Sequence, residues 1–118
     1  MRKDDPDKWN GYKLIFGNEI YLCSRKQIEE NKDYQFWHFI LLSKDLIGHK
    51  QMRELSTRAW VDNSLVYVNI RTPTYYDDLF EVVEADRGHL MASTACLGGF
   101  APKLILRAYS DNPSNPDY

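Results

Sequence analysis

Apolar positions along this chain fall into short dense runs separated by charged stretches, and that spacing predicts alternating strands and helices. Residues 12–22 read as a strand, with Ile15, Phe16, Ile20, Tyr21 and Leu22 around Gly17, which marks a bulge or a close backbone approach. Residues 24–34 are polar and charged, a connection with one turn of helix over 26–31. Residues 36–42 are almost continuously apolar, as in a strand buried on both faces. Asp45 then offers an N-cap. Ile47, Met52, Leu55 and Ala59 recur at helical intervals, which predicts an amphipathic helix over 46–61 stopped by Asp62 and Asn63. A short extended run over 65–70 is closed by Arg71, Thr72 and Pro73. Thr74 with Asp77 resembles a capping box, and the helix behind it has Leu79, Val82 and Val83 as its apolar stripe. Asp86, Arg87 and Gly88 make a turn before a strand over 89–94. Pro102 suits the first turn of a last helix that reaches about Tyr109.

Strands alternating with helices predict a single α/β domain, layered or barrel-like. Residues 1–11 form an irregular lead-in, 12–109 the domain, and 110–118 a disordered tail. At 118 residues the chain is too short for a closed (β/α) barrel, which takes about 250. The count fits three to four strands with flanking helices.

Composition narrows the function classes. Aromatics at 14% and a hydrophobic fraction of 43% argue against a disordered chain. A net charge of −2 exerts no long-range pull on nucleic acid, so any DNA contact must be local. Lys50, Arg53 and Arg58, the densest basic group, read as a solvated helix face, and Arg71 as a surface charge. No apolar run approaches the ~20 residues of a membrane span. The charged start has no apolar stretch behind it, so no secretory signal is expected and the location is expected to be cytoplasmic. A cytoplasmic setting disfavours a disulfide between Cys23 and Cys96, and Cys23, at the end of an apolar run, reads as a small buried residue.

Three strand-like segments each carry one metal-competent side chain: Glu19, His38 and Cys96. A carboxylate, an imidazole and a thiolate gathered at one end of a sheet make a divalent-metal site the first chemistry to weigh. Cys96 stands where a strand gives way to Gly98 and Gly99, the kind of strand end at which α/β proteins place active groups.

The segments around these residues follow a familiar order. Phe16-Gly17-Asn18-Glu19-Ile20-Tyr21 comes first, then Trp37-His38-Phe39-Ile40-Leu41-Leu42-Ser43-Lys44. Next come Gly48-His49-Lys50-Gln51-Met52-Arg53-Glu54-Leu55 and Leu90-Met91-Ala92-Ser93-Thr94-Ala95-Cys96-Leu97-Gly98-Gly99. Together they resemble the polymerase-and-histidinol-phosphatase (PHP) domain at the amino end of the bacterial DNA polymerase III alpha subunit, a C-family replicative polymerase of bacteria or phage. The resemblance covers roughly residues 12–108, and its specificity lies in four motifs in order rather than in any single one. It implies part of a (β/α)7 barrel, with Glu19, His38 and Cys96 at the positions of three metal ligands. Zinc or manganese is the implied ion, and metal-assisted phosphodiester hydrolysis, usually described as proofreading, is the implied chemistry.

The departures shape what is expected of the chain. The family's opening His-x-His pair, its further Asp and His ligands and its closing Asp-x-His pair are absent, as is the palm domain that adds nucleotides. His49 and His89 stand where the family has Tyr or an aliphatic residue, so they read as structural or solvent-exposed. The chain is therefore expected to be a fragment of a DNA polymerase III alpha subunit, inactive alone. Its partners would be the remainder of the polymerase chain and, through it, DNA, with open strand edges prone to self-association. The alternatives are a stand-alone interaction module derived from such a domain, or a small metal-dependent phosphoesterase completed by oligomerisation.

Overall fold

A run of strand formers ending in Cys23 and an apolar run ending in Ser43 pair into the central hairpin of a four-stranded open sheet. The structure is a computed structural model that describes residues 13–30, 35–63 and 72–111. The lead-in, Tyr12, the extended run over 65–70, Arg71 and the tail beyond Asp111 lie outside the described residues. Strand β1 (Gly17–Cys23) leads through helix α1 (Arg25–Glu29) to β2 (Trp37–Ser43). Helix α2 (Leu46–Thr57) ends in a π-helical turn over Arg58–Asp62. Strand β3 (Pro73–Tyr75), helix α3 (Tyr76–Ala85), strand β4 (Leu90–Thr94) and helix α4 (Phe100–Asp111) complete the order. Among the described residues no helix is long and apolar enough to cross a membrane.

The sheet runs β3-β1-β2-β4. β1 pairs antiparallel with β2, β2 antiparallel with β4, and β1 parallel with β3. Because side chains alternate along a strand, this register sorts residues onto two faces. Ile20, Leu22 and Leu41 share one face and are buried with Met52 and Leu55 of α2 and Val82 of α3. Trp37, Phe39, Leu79 and Leu90 pack against that cluster. Glu19, Tyr21, His38, Ile40 and Leu42 fall on the other face.

Several sequence expectations shift. The first strand starts at Gly17 rather than residue 12, because β2 ends at Ser43, across from Phe16, and leaves residues 13–15 no strand to pair with. Phe16 is tied in by its carbonyl, which accepts from Ser43 N at 2.8 Å and Ser43 Oγ at 3.3 Å, and by its ring, which stacks on His49 at 4.5 Å between centroids. β2 is not buried on both faces: Leu41 and Ser43 are buried while its other residues are half-exposed, because α2 and α3 cover one side alone. Ile47 stays exposed, whereas Met52, Leu55 and Ala59 are buried as their spacing implies. Pro73 opens β3 instead of closing a turn, and as an edge strand β3 tolerates a residue with no N–H. The Thr74 capping box does not form. Thr74 is buried in β3, and α3 begins after Tyr75 without a side-chain cap. Asp77 and Asp78 in its first turn complement the helix dipole instead.

Arg58 is no solvated face residue. Its guanidinium donates to Glu54 at 2.8 Å and Glu81 at 2.9 Å, and also reaches Asp78 at 3.5 Å. These bonds raise its pKa and hold the Glu81 carboxyl below its usual range. Lys50 and Arg53 do stay exposed. The buried carboxylate of Asp78 also accepts from Arg25 Nη2 at 3.1 Å and Asn63 Nδ2 at 2.8 Å. It thereby ties α1, the end of the π-helical turn and α3 to one point. A buried carboxylate needs such partners to offset its lost hydration. Gln51, also buried, donates its side-chain amide to the carbonyls of Val82 (3.1 Å) and Asp86 (2.7 Å), satisfying acceptors that the end of α3 leaves open.

At the other end of α2, Asp45 is the expected N-cap and accepts from Gly48 N at 2.9 Å. Its second oxygen lies 2.7 Å from His89 Nδ1, and His89 Nε2 lies 3.1 Å from Asp86. His89 is thus structural, a bridge between the start of α2 and the turn before β4. The Gly48 N–H bond, with His89 next, lowers the Asp45 pKa, and the Asp45 bond raises that of His89. Gly48 is required by a close approach: a Cβ there would lie 2.1 Å from the backbone oxygen of His89.

Two outcomes follow from this end of α2. Ala usually gains about 1 kcal/mol over Gly inside a helix. Here Gly48→Ala should instead lose about 1–3 kcal/mol to overpacking against a backbone carbonyl, which urea denaturation measures. The His89 bridge gives a signed pH dependence. Its raised pKa contributes stability fully below 6.5 that is lost as pH rises, while Asp45 contributes above 3.8 and loses it as pH falls. Denaturation at about pH 6 and about pH 8.5 should show a fall in stability that is smaller in His89→Gln. An equal fall in both proteins would mean that the bridge does not form.

Candidate functional site

β1 and β2 bring Glu19 and His38 onto the same open face. The register sets Tyr21 opposite His38 and Glu19 opposite Ile40, so Glu19 and His38 are diagonal neighbours across the hairpin. Their side chains meet, with His38 Nδ1 2.9 Å from Glu19 Oε1. A carboxylate only accepts, so the proton on this line belongs to Nδ1. Glu19 is half exposed and His38 less so, with side-chain exposures of 54% and 29%.

Cys96 joins them from beyond β4. The chain turns just after the strand, with Gly99 N donating to the Cys96 carbonyl at 2.8 Å. This turn carries Cys96 Sγ to 3.4 Å from His38 Nδ1, and Gly98 N donates to the same sulfur at 3.3 Å. Cys23 is buried and Cys96 exposed, and both are free thiols. The three residues singled out in the sequence therefore come together in space.

Whether they suit an ion divides into chemistry and arrangement. Oxygen, imidazole nitrogen and sulfur donors together match a borderline divalent cation such as zinc. The arrangement is that of a hydrogen-bonded cluster, since both neighbours converge on the same ring nitrogen. Among the described residues no group of three or more His, Cys, Asp or Glu side chains stands ready to hold an ion. The cluster is also not a nucleophilic triad. In that constellation the thiol and the orienting carboxylate engage opposite nitrogens of the imidazole.

Sequence reasoning missed two supports of His38. The Tyr21 ring packs edge-on against it at 5.0 Å between centroids. Gly98 lies against its other atoms and accepts from His38 N through its carbonyl at 3.1 Å. Period-two alternation could have placed Tyr21 beside His38 once the hairpin register was known. Nothing local in the sequence ties Gly98 to a residue sixty positions earlier.

Comparison with known proteins matches this chain to polymerases. No protein-family model matches it. It is 39% identical over 100 residues to the probable DNA polymerase YorL of Bacillus subtilis and equally to a DNA-directed DNA polymerase of Bacillus phage SPbeta, covering 81% of this chain. It is 29% identical over 108 residues to the DNA polymerase III subunit alpha of Borreliella burgdorferi, covering 89% of this chain. The chain spans only 8–9% of the length of these relatives. What it resembles is one segment of a much longer polymerase.

Proposed function

We propose that this chain serves as part of the PHP domain of a DNA polymerase III alpha-type replicative polymerase. In this reading Glu19, His38 and Cys96 form one wall of a divalent-metal site. The observation that carries the reading is the convergence of Glu19, from β1, and Cys96, from the turn after β4, on one ring nitrogen of His38 in β2. The similarity to segments of DNA polymerases supports the parent assignment. The layering supports part of a barrel wall, with helices on one face of the sheet and the candidate ligands on the other. The pairings on both sides of β2 are antiparallel, so this wall is mixed rather than a run of parallel strands.

A bound divalent ion would supply Lewis-acid polarisation and an activated water for phosphodiester hydrolysis. The chain's own residues hold and orient. Glu19 offers a carboxylate to a hard cation, Cys96 a soft thiolate, and His38 a neutral nitrogen once its Nδ1 proton leaves. Tyr21 limits the tilt of the imidazole. Exposed Met91 on β4 and exposed Leu104, Ile105 and Leu106 on α4 suit a segment packed against further polymerase. Proofreading, and contact with DNA, belong in this proposal to the whole polymerase.

Metal content tests the reading. Wild-type protein should carry zinc or manganese after dialysis and give a sulfur-to-metal absorption band with cobalt(II). Cys96→Ser should lose the band and bind at least ~10-fold more weakly, and Glu19→Gln should weaken binding without abolishing the band. Equal metal content in wild type and Cys96→Ser, both folded by circular dichroism, would overturn it.

A further inference from the structure

We infer that Gly98 is the positioning residue of the cluster: it fixes the His38 ring and the Cys96 thiol together and turns Nδ1, rather than Nε2, toward Glu19 and Cys96. The zinc titration below rests on the metal-site proposal above; the ring geometry does not.

Gly98 touches both partners by three routes. Its carbonyl accepts from His38 N at 3.1 Å, which anchors the backbone that carries the imidazole. Its own N–H donates to Cys96 Sγ at 3.3 Å, which aims the thiol at the ring. Its missing side chain leaves the room in which the ring lies. A Cβ at Gly98 would stand 3.1 Å from His38 Cδ2, 3.2 Å from Cγ and 3.3 Å from Nε2. Carbon atoms in good contact sit about 3.5–4.0 Å apart, so the ring would have to move.

Backbone conformation does not account for the glycine. Among the described residues Gly88, with φ of +96°, is the glycine in the left-handed region, and Gly98 is not. Alanine is therefore allowed by the main chain at Gly98, and what it disturbs is the imidazole. The Cγ–Cδ2–Nε2 edge of the ring faces the place a Gly98 side chain would take, and Nδ1 is the nitrogen beside Glu19 and Cys96. Tyr21 packs edge-on to the same ring. An imidazole held in this way has little freedom to offer its far nitrogen.

The test compares wild type, Gly98→Ala and the neighbouring control Leu97→Ala, whose side chain is exposed. Long-range 1H–15N spectra of the His38 ring are recorded without metal and during zinc(II) titration. In wild type, zinc should displace the Nδ1 proton and shift the Nδ1 resonance. Gly98→Ala should bind zinc at least ~10-fold more weakly and lose that signature, while Leu97→Ala keeps both. Wild-type zinc affinity and an unchanged Nδ1 signature in Gly98→Ala would overturn the inference. If wild type binds no zinc, the metal reading falls, and the metal-free spectra still decide the role of Gly98. An unaltered His38 ring in Gly98→Ala would then count against it. Should Gly98→Ala loosen the fold, thermal melts of Gly98→Ala, His38→Ala and the double variant form a cycle. Removing the ring should recover most of the melting temperature lost to Gly98→Ala, and strict additivity would overturn the inference.

Discussion

The register between β1 and β2 is the constraint on which the rest depends. Gly17 opposite Leu42 and Tyr21 opposite His38 put Ile20, Leu22, Phe39 and Leu41 toward the helices. The same register puts Glu19 and His38 on the other side. A slip of one residue would turn one strand over against the other, carrying Glu19 or His38 to the packed face and that strand's core residues out of it. The hydrophobic demand of Ile20, Leu22 and Leu41 for Met52, Leu55 and Val82 thus holds the site residues in place without touching them. Fully burying such side chains contributes about 1.5–3 kcal/mol each, far more than the half-exposed Glu19–His38 pair can supply.

Charged residues add a second layer of specification around that core. Asp78 gathers Arg25, Arg58 and Asn63 from three parts of the chain, and Arg58 passes the link on to Glu54 and Glu81. Arg25 also lies over the Tyr75 ring, 4.1 Å from its centroid, so α1 is pinned to β3 as well as to α3. A helix of five residues has little stability of its own, and these contacts are what define its place. The Asp45–His89–Asp86 bridge does the corresponding work at the opposite end of α2.

Much of this was legible in the sequence where one residue's neighbours along the chain decide its state. The helix starting after Asp45, the Met52–Leu55–Ala59 stripe, the turn at Gly88 and the helix containing Pro102 all follow from local signals. The meeting of Glu19, His38 and Cys96 was legible only through resemblance, because the residues come from elements far apart in the chain. Three of the misreadings share a cause. Arg58, Thr74 and the strand over 36–42 were judged by local pattern, and each is governed by partners distant in sequence: Asp78 and Glu81 for Arg58, the buried β3 position for Thr74, and one-sided helix cover for β2.

The division of the sheet into a packed face and a chemical face has an evolutionary side. Glu19 and His38 contribute little to the buried cluster, and their backbones are held by strand pairing that any side chain can maintain. Folding alone therefore makes little demand on the identity of these residues, and their retention would have to answer to whatever role the cluster serves. A lineage that ceased to need the chemistry would lose the carboxylate, the imidazole and the thiol one by one, while Leu22, Leu41 and Leu55 stayed. Which face drifts first among related chains would then date the loss of that role separately from any loss of the fold.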